Sequence, residues 1–280
     1  MRLSVQSSSG QREPRVSEYI QVILLAILQG IAEFLPISSS GHLVLAKHAI
    51  AQMGITPAFA WDDITLDIAL HVGTLGSIVV VYRHDLLRIL FQPRLLALLF
   101  IGSIPAGLAG VFLGDFRTEY FSNRITVGFC LIMTSILLLV AQQVERCRFD
   151  LSNLPVPVAL IVGLFQGFAA IFPGISRAGS TICGGLIAGM DRTSAARFSF
   201  LLAIIAIGGA GTLKLKEVLL DSSVPVRWDL LTTGIVVSFL VGVLSLEFLL
   251  RMIQANRLGY FAIYCALMGM TAILWQMISP

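Results

Sequence analysis

Apolar positions along this chain fall into long runs rather than a strict alternation, and polar residues collect in the gaps between them. Six runs, at about 65–82, 93–114, 124–143, 195–214, 229–251 and 258–278, approach the roughly 20 residues a helix needs to cross a bilayer with some tilt. The pattern predicts six transmembrane helices. Two further regions are helical in pattern but broken, 19–35 with 40–53 and 156–171 with 179–190. The breaks are Pro36-Ile37-Ser38-Ser39-Ser40-Gly41 and Pro173-Gly174-Ile175-Ser176-Arg177-Ala178-Gly179. Irregular backbone at membrane depth is stable only where protein buries it or a wet cavity borders it. Each broken region is therefore predicted as a re-entrant helical hairpin.

The two broken regions share a phrase. Gln29-Gly30-Ile31-Ala32 with Pro36 recurs as Gln166-Gly167-Phe168-Ala169 with Pro173, at an offset of 137 residues. Each half, about 19–143 and about 156–280, then reads as one hairpin followed by three spans. Three is odd, so the second half must be inverted relative to the first, an arrangement that sets two broken helices tip to tip near the midplane. The expected fold is an all-α integral membrane protein: a polar tail over 1–18 and a single membrane domain over 19–280. The apolar stretch from Tyr19 superficially resembles a secretory signal, but no small-residue cleavage site follows, so it is read as mature protein. Arg83, Arg88, Arg94, Arg146, Arg148, Arg192, Arg197, Arg251 and Arg257 fall on one side and outweigh Arg117, Arg124, Lys214, Lys216 and Arg227 on the other. The first set is expected in the cytoplasm and both termini outside. The tail residues Arg2, Arg12 and Arg15 argue mildly against this.

Composition agrees. The 280 residues are 56% hydrophobic and 12% charged, against about 25% charged in a soluble domain. A net charge of +3 is spread singly through short loops, which excludes a nucleic-acid surface. Cys130, Cys147, Cys183 and Cys265 form no CxxC pair and read as small packing residues, neither disulfide framework nor metal site.

Ionisable groups inside apolar segments are costly and therefore usually functional. Glu33, His42, Arg177 and Glu247 stand out on this ground. Gln29 and Glu33, spaced i,i+4, share one helix face. Ser39 and His42, spaced i,i+3, are close enough to share a proton. In the second break Ser176, Ser180 and Thr181 supply donors, and Gly174 and Gly179 free the backbone. A helix N-terminus with a guanidinium beside it is an anion site. Brought together, the breaks would offer a nucleophile, a base and clamps for developing negative charge, the equipment of phosphoryl transfer. Gln29, Ser38, Ser40, Gly174, Ser176, Ser180 and Thr181 make up the candidate substrate-binding set. Plainer readings stand beside this one: serines after a proline as N-caps, His42 as a packed histidine, and Arg177 with Glu33 as a structural ion pair. Glu247 with Arg251 reads as a surface pair, His71 as a partner of the Asp67 turn, and His48 and His84 as interfacial.

The stretch from Gln29 through Glu33 and the serines to His42 resembles the first signature of the undecaprenyl-diphosphate phosphatase (bacitracin-resistance) family. Pro173-Gly174-Ile175-Ser176-Arg177-Ala178-Gly179-Ser180-Thr181 resembles its second, with Ala178 where the family carries a serine. The resemblance implies a bacterial plasma-membrane hydrolase that converts the C55 polyprenyl diphosphate to the monophosphate and recycles the lipid carrier for cell-wall synthesis. It implies Glu33, Ser39, His42 and Arg177 as catalytic residues and dependence on Mg2+ or Ca2+. Glu33 would then orient His42 or help hold a metal ion on the diphosphate. The implied partners are the polyprenyl diphosphate and membrane lipids, with room for a homodimer. The rival reading is a transporter or flippase for a prenyl-phosphate lipid, whose class also uses inverted repeats; a purely structural subunit leaves Glu33 and Arg177 unexplained.

Overall fold

The computed structural model describes residues 16–54, 64–121, 123–144, 147–220 and 227–278. The polar tail through Arg15, and Arg146, lie outside them. The described chain is helical: α1 (Val16–Ala32), α2 (Ser39–Gln52), α3 (Ile64–Val81), α4 (Arg83–Ile89), α5 (Pro93–Phe121) and α6 (Arg124–Gln142). Then follow α7 (Val156–Ile171), α8 (Arg177–Ile187), α9 (Arg192–Leu220), α10 (Trp228–Gln254) and α11 (Leu258–Ile278). Five of these, α5, α6, α9, α10 and α11, contain stretches long and apolar enough to cross a membrane. Their outward residues, among them Phe100, Leu108, Leu244 and Leu274, are exposed apolar side chains suited to lipid. The protein is an all-α membrane protein.

The run expected at 65–82 forms α3 but does not continue straight. At Tyr82 the chain bends by 77° into α4. Arg83, His84 and Asp85 follow immediately and cannot stay on an apolar axis, and the Arg83 guanidinium turns back to the Val80 carbonyl at 2.8 Å. The arms of the broken regions are short, at 17, 14, 16 and 11 residues for α1, α2, α7 and α8. At about 1.5 Å per residue none reaches the ~30 Å of a hydrocarbon core.

The two halves interlock. Val22 lies against Gly234 and Gly30 against Ser238 and Val241, so α1 runs parallel to α10. Gly163 lies against Gly102 and Gly167 against Pro105, so α7 runs parallel to α5. The repeated glycine of each half thus seats on a long helix of the other half, at matching places. One turn before the repeated Gly167, glycine is required at Gly163, where a Cβ would stand 2.4 Å from the Gly102 carbonyl oxygen. At the centre Phe34 and Phe200, both fully buried, pack with ring centroids 5.9 Å apart. This core holds the first break against α9 directly beneath the site.

Candidate active site

Both breaks end in a serine N-cap. The Ser38 hydroxyl accepts from the Gly41 N–H at 3.2 Å and the Ser176 hydroxyl from the Gly179 N–H at 3.0 Å, which satisfies donors otherwise orphaned at a helix start. Ser38 adopts φ 72°, a left-handed conformation rare outside glycine. Gly174, at φ 104°, has no room for a side chain, since a Cβ there would meet that of Cys130 at 2.7 Å. The breaks touch each other: a Cβ on Gly41 would lie 3.0 Å from the Gly174 Cα, and one on Gly179 would lie 3.2 Å from the Pro36 Cβ. Two helix N-termini therefore converge on one place. Thr134 of α6 braces the second break, accepting from the Ser176 N–H at 3.2 Å.

Glu33 lies between them and gathers the site. Its Oε2 accepts from the Gln29 amide at 3.0 Å and from the Ser39 hydroxyl at 2.7 Å. Its Oε1 accepts from Arg177 Nη2 at 2.9 Å, joining the two breaks through a largely buried ion pair. The four residues Gln29, Glu33, Ser39 and Arg177 are thus brought together. Nη1 of Arg177 is buried and bonds nothing among the described residues. A guanidinium carries five N–H donors, and the Glu33 carboxylate does not use all of them.

The remaining expected residues are placed differently. His42 does not bond Ser39. Its Nδ1–H donates to the Ser38 carbonyl at 2.8 Å, its Nε2 accepts from the Tyr264 hydroxyl at 2.7 Å, and the two rings stack. An i,i+3 spacing permits the Ser39 contact, but the turn at Ser38 rotates Ser39 back toward Glu33 instead. Ser40 reaches the Ser38 hydroxyl at 3.4 Å. Thr181 is fully buried, bonded to Ser199 and to its own helix at the Arg177 carbonyl, so its hydroxyl serves packing rather than the pocket. Ser180 is buried, and its hydroxyl has no partner among the described residues. Ala178 packs in the apolar core. Glu247 pairs with Arg251 at 4.0 Å on an exposed face, away from the site.

Sequence reasoning gave His71 too small a part. Its Nδ1 does bond the Asp67 carbonyl, at 2.7 Å, but its Nε2 stands 3.7 Å from Glu33 Oε2. The available signal was a histidine within an apolar run. Tyr264 gave none, as one tyrosine among the apolar residues of α11.

The donor set does not fit a divalent cation held by the protein alone. Glu33 already accepts from three groups, one of them cationic. Among the described residues no three His, Cys, Asp or Glu side chains cluster in a way that could hold a metal ion.

The family described as bacitracin resistance protein BacA matches residues 22–271. The chain belongs to this family. A protein named undecaprenyl-diphosphatase from Rhodopirellula baltica is 41% identical over 261 residues, covering 92% of this chain and 98% of its own length. Relatives of the same name from Halothermothrix orenii and Methanosphaera stadtmanae are 40% and 35% identical, covering 92% and 93% of this chain and 98% and 99% of themselves. Both breaks lie inside the span that the family matches.

Proposed function

We propose that this member of the family is a hydrolase of the bacterial plasma membrane that converts undecaprenyl diphosphate to undecaprenyl phosphate and inorganic phosphate, recycling the carrier used in cell-wall synthesis. The observation that carries this reading is the meeting of the two breaks, where Glu33, Ser39 and Arg177 converge beside two helix N-termini. Arg177, whose side chain is partly exposed, and the helix ends take the diphosphate, while the prenyl tail lies along the apolar surface between helices. Ser39, or a water in its place, attacks the terminal phosphorus. Glu33, 2.7 Å from the Ser39 hydroxyl, receives its proton. His42 contributes through the strained Ser38 turn, which it clamps from the carbonyl side, and through that turn sets the aim of Ser39. Gln29 fixes the Glu33 rotamer, and Ser40 and Ser176 complete the polar lining.

The finer topology belongs to the same proposal: six membrane passes, with α3 bending into α4 at the end of one, and two re-entrant hairpins from opposite faces. The parallel packing of α1 on α10 and of α7 on α5 supports the inverted repeat, and the arginine distribution supports both termini outside.

The test is phosphate release from a prenyl diphosphate by the purified protein, wild type beside Arg177→Ala and Ser39→Ala. Release by the wild type, lost by about 100-fold or more in Arg177→Ala, is the expected result. A phosphoenzyme trapped on Ser39 would establish covalent transfer, and a fully active Ser39→Ala protein would leave water as the nucleophile. No release from folded wild type overturns the hydrolase.

A further inference from the structure

Proton traffic at the site needs an exit that Glu33 and its three donors do not supply. Oε2 receives the Ser39 proton but is hemmed in by Gln29 and Ser39, and Oε1 by Arg177. The carboxylate itself is 5% exposed, so a proton left there has little direct access to water. The imidazole of the first motif is not free to take it, because both ring nitrogens of His42 are engaged elsewhere. His71 is placed differently. Its side chain is 37% exposed and opens one turn from the Lys47–Asp67 ion pair, the polar rim through which water reaches it, and its Nε2 faces Oε2 at 3.7 Å. The Asp67 carbonyl, 2.7 Å from Nδ1, keeps the proton of the neutral ring on that nitrogen. Nε2 therefore presents a lone pair to the carboxylate oxygen that the nucleophile also touches. Two acceptors facing each other in this way become donor and acceptor once a proton lies between them.

Resting on the hydrolase reading, we propose that His71 is the relay that carries the nucleophile's proton from Glu33 to solvent. When water attacks, its oxygen bonds the terminal phosphorus as the bridging P–O bond breaks and inorganic phosphate forms; when Ser39 Oγ attacks, the phosphoryl group rests on Oγ until a water oxygen displaces it and returns a proton to Oγ. In both cases the polyprenyl monophosphate leaves with the electron pair of the broken bond. The proton passes from the nucleophile to Glu33 Oε2, then to His71 Nε2, then to water. His71 acts through Glu33 and is a positioning residue, not a catalytic one. The charged groups facing it are Glu33 from the first hairpin, with Arg177 of α8 behind it, and Asp67 one turn back on α3, which Lys47 of α2 approaches at 3.8 Å. α10 meets α3 through uncharged residues, Gly234, Ser238 and Phe239, and α9 meets the end of α3 through Phe200 at Tyr82.

The experiment compares wild type, His71→Gln, His71→Ala and Arg177→Ala in phosphate release from a prenyl diphosphate between about pH 5 and 8. The relay predicts that kcat falls about 10- to 100-fold in both His71 variants while KM stays within about twofold. It also predicts that the acid limb of the wild-type kcat profile flattens in His71→Gln, and that added imidazole restores turnover to His71→Ala. Glutamine keeps a polar side chain of similar reach but cannot exchange a proton. A His71→Gln protein with wild-type kcat and pH profile overturns the relay, and it decides the matter even if His71→Ala fails to fold. A wild type that releases no phosphate, or an Arg177→Ala protein that is unimpaired, overturns the hydrolase reading itself and is distinguished from failure of the relay by those two arms.

Discussion

The ion pair between Arg177 and Glu33 is a structural tie between the halves and, in the proposed function, part of the anion site, and a double-mutant cycle separates the two roles. Arg177→Met keeps most of the side-chain volume and removes the cation. Glu33, 5% exposed, would then be a buried carboxylate whose Oε1 has lost its donor. Removing one partner of a buried pair costs about 3–5 kcal/mol, more than the intact pair contributes, because the stranded charge is the larger penalty. Glu33→Gln in the same protein removes that charge. The double variant is expected to regain about 2–3 kcal/mol relative to Arg177→Met. Neither single variant nor the double variant should release phosphate, since both lose the anion clamp or the proton acceptor. Reversible unfolding in mixed micelles measures the first quantity and phosphate release the second. An Arg177→Met protein as stable as wild type would refute the reasoning, because the guanidinium would then not be held on the carboxylate. A double variant that recovers turnover along with stability would refute it too, since the pair would be scaffolding only.

Three further outcomes follow from the packing and the donor set. Gly163→Ala places a methyl 2.4 Å from the Gly102 carbonyl oxygen and should destabilise the fold by about 1–3 kcal/mol, read as a lower unfolding midpoint in the same micelles. Tyr264→Phe strips His42 Nε2 of its donor; a loss of about 1–2 kcal/mol and a lower kcat at unchanged KM are expected, from unfolding and phosphate-release measurements together. Among the described residues no three side chains form a cage for a divalent cation, so a cation that serves the proposed reaction is expected to enter on the diphosphate. A chelator should then raise KM for the lipid without changing the unfolding temperature of the ligand-free protein.

Much of this was legible because the bilayer constrains sequence so strongly. The runs that became α5, α6, α9, α10 and α11 had to be long and apolar, and the two breaks had to be polar and rich in glycine and serine. The bend at Tyr82 was not legible, because a run that ends on Tyr82 beside Arg83 reads the same whether the helix stops or turns. The convergence of Glu33 with Arg177 could be anticipated from the repeat, since 137 residues of offset place both breaks at equivalent points of two copies. The partner of His42 could not. Spacing fixes which helix face a side chain occupies, but the left-handed turn at Ser38 decides where Ser39 points. His71 lies 38 positions beyond Glu33 on another helix, and only the packed structure relates the two.

The interlocking of the halves bears on how the protein is made. Arg177 follows Glu33 by 144 residues, which a ribosome takes roughly 7–30 s to add at about 5–20 residues per second. For that interval Glu33 has no guanidinium to meet it, and Gly30 waits longer still for Ser238 and Val241 of α10. The first break therefore reaches its final packing only after the second half of the chain has been made, and the last long helices complete contacts that the first one began.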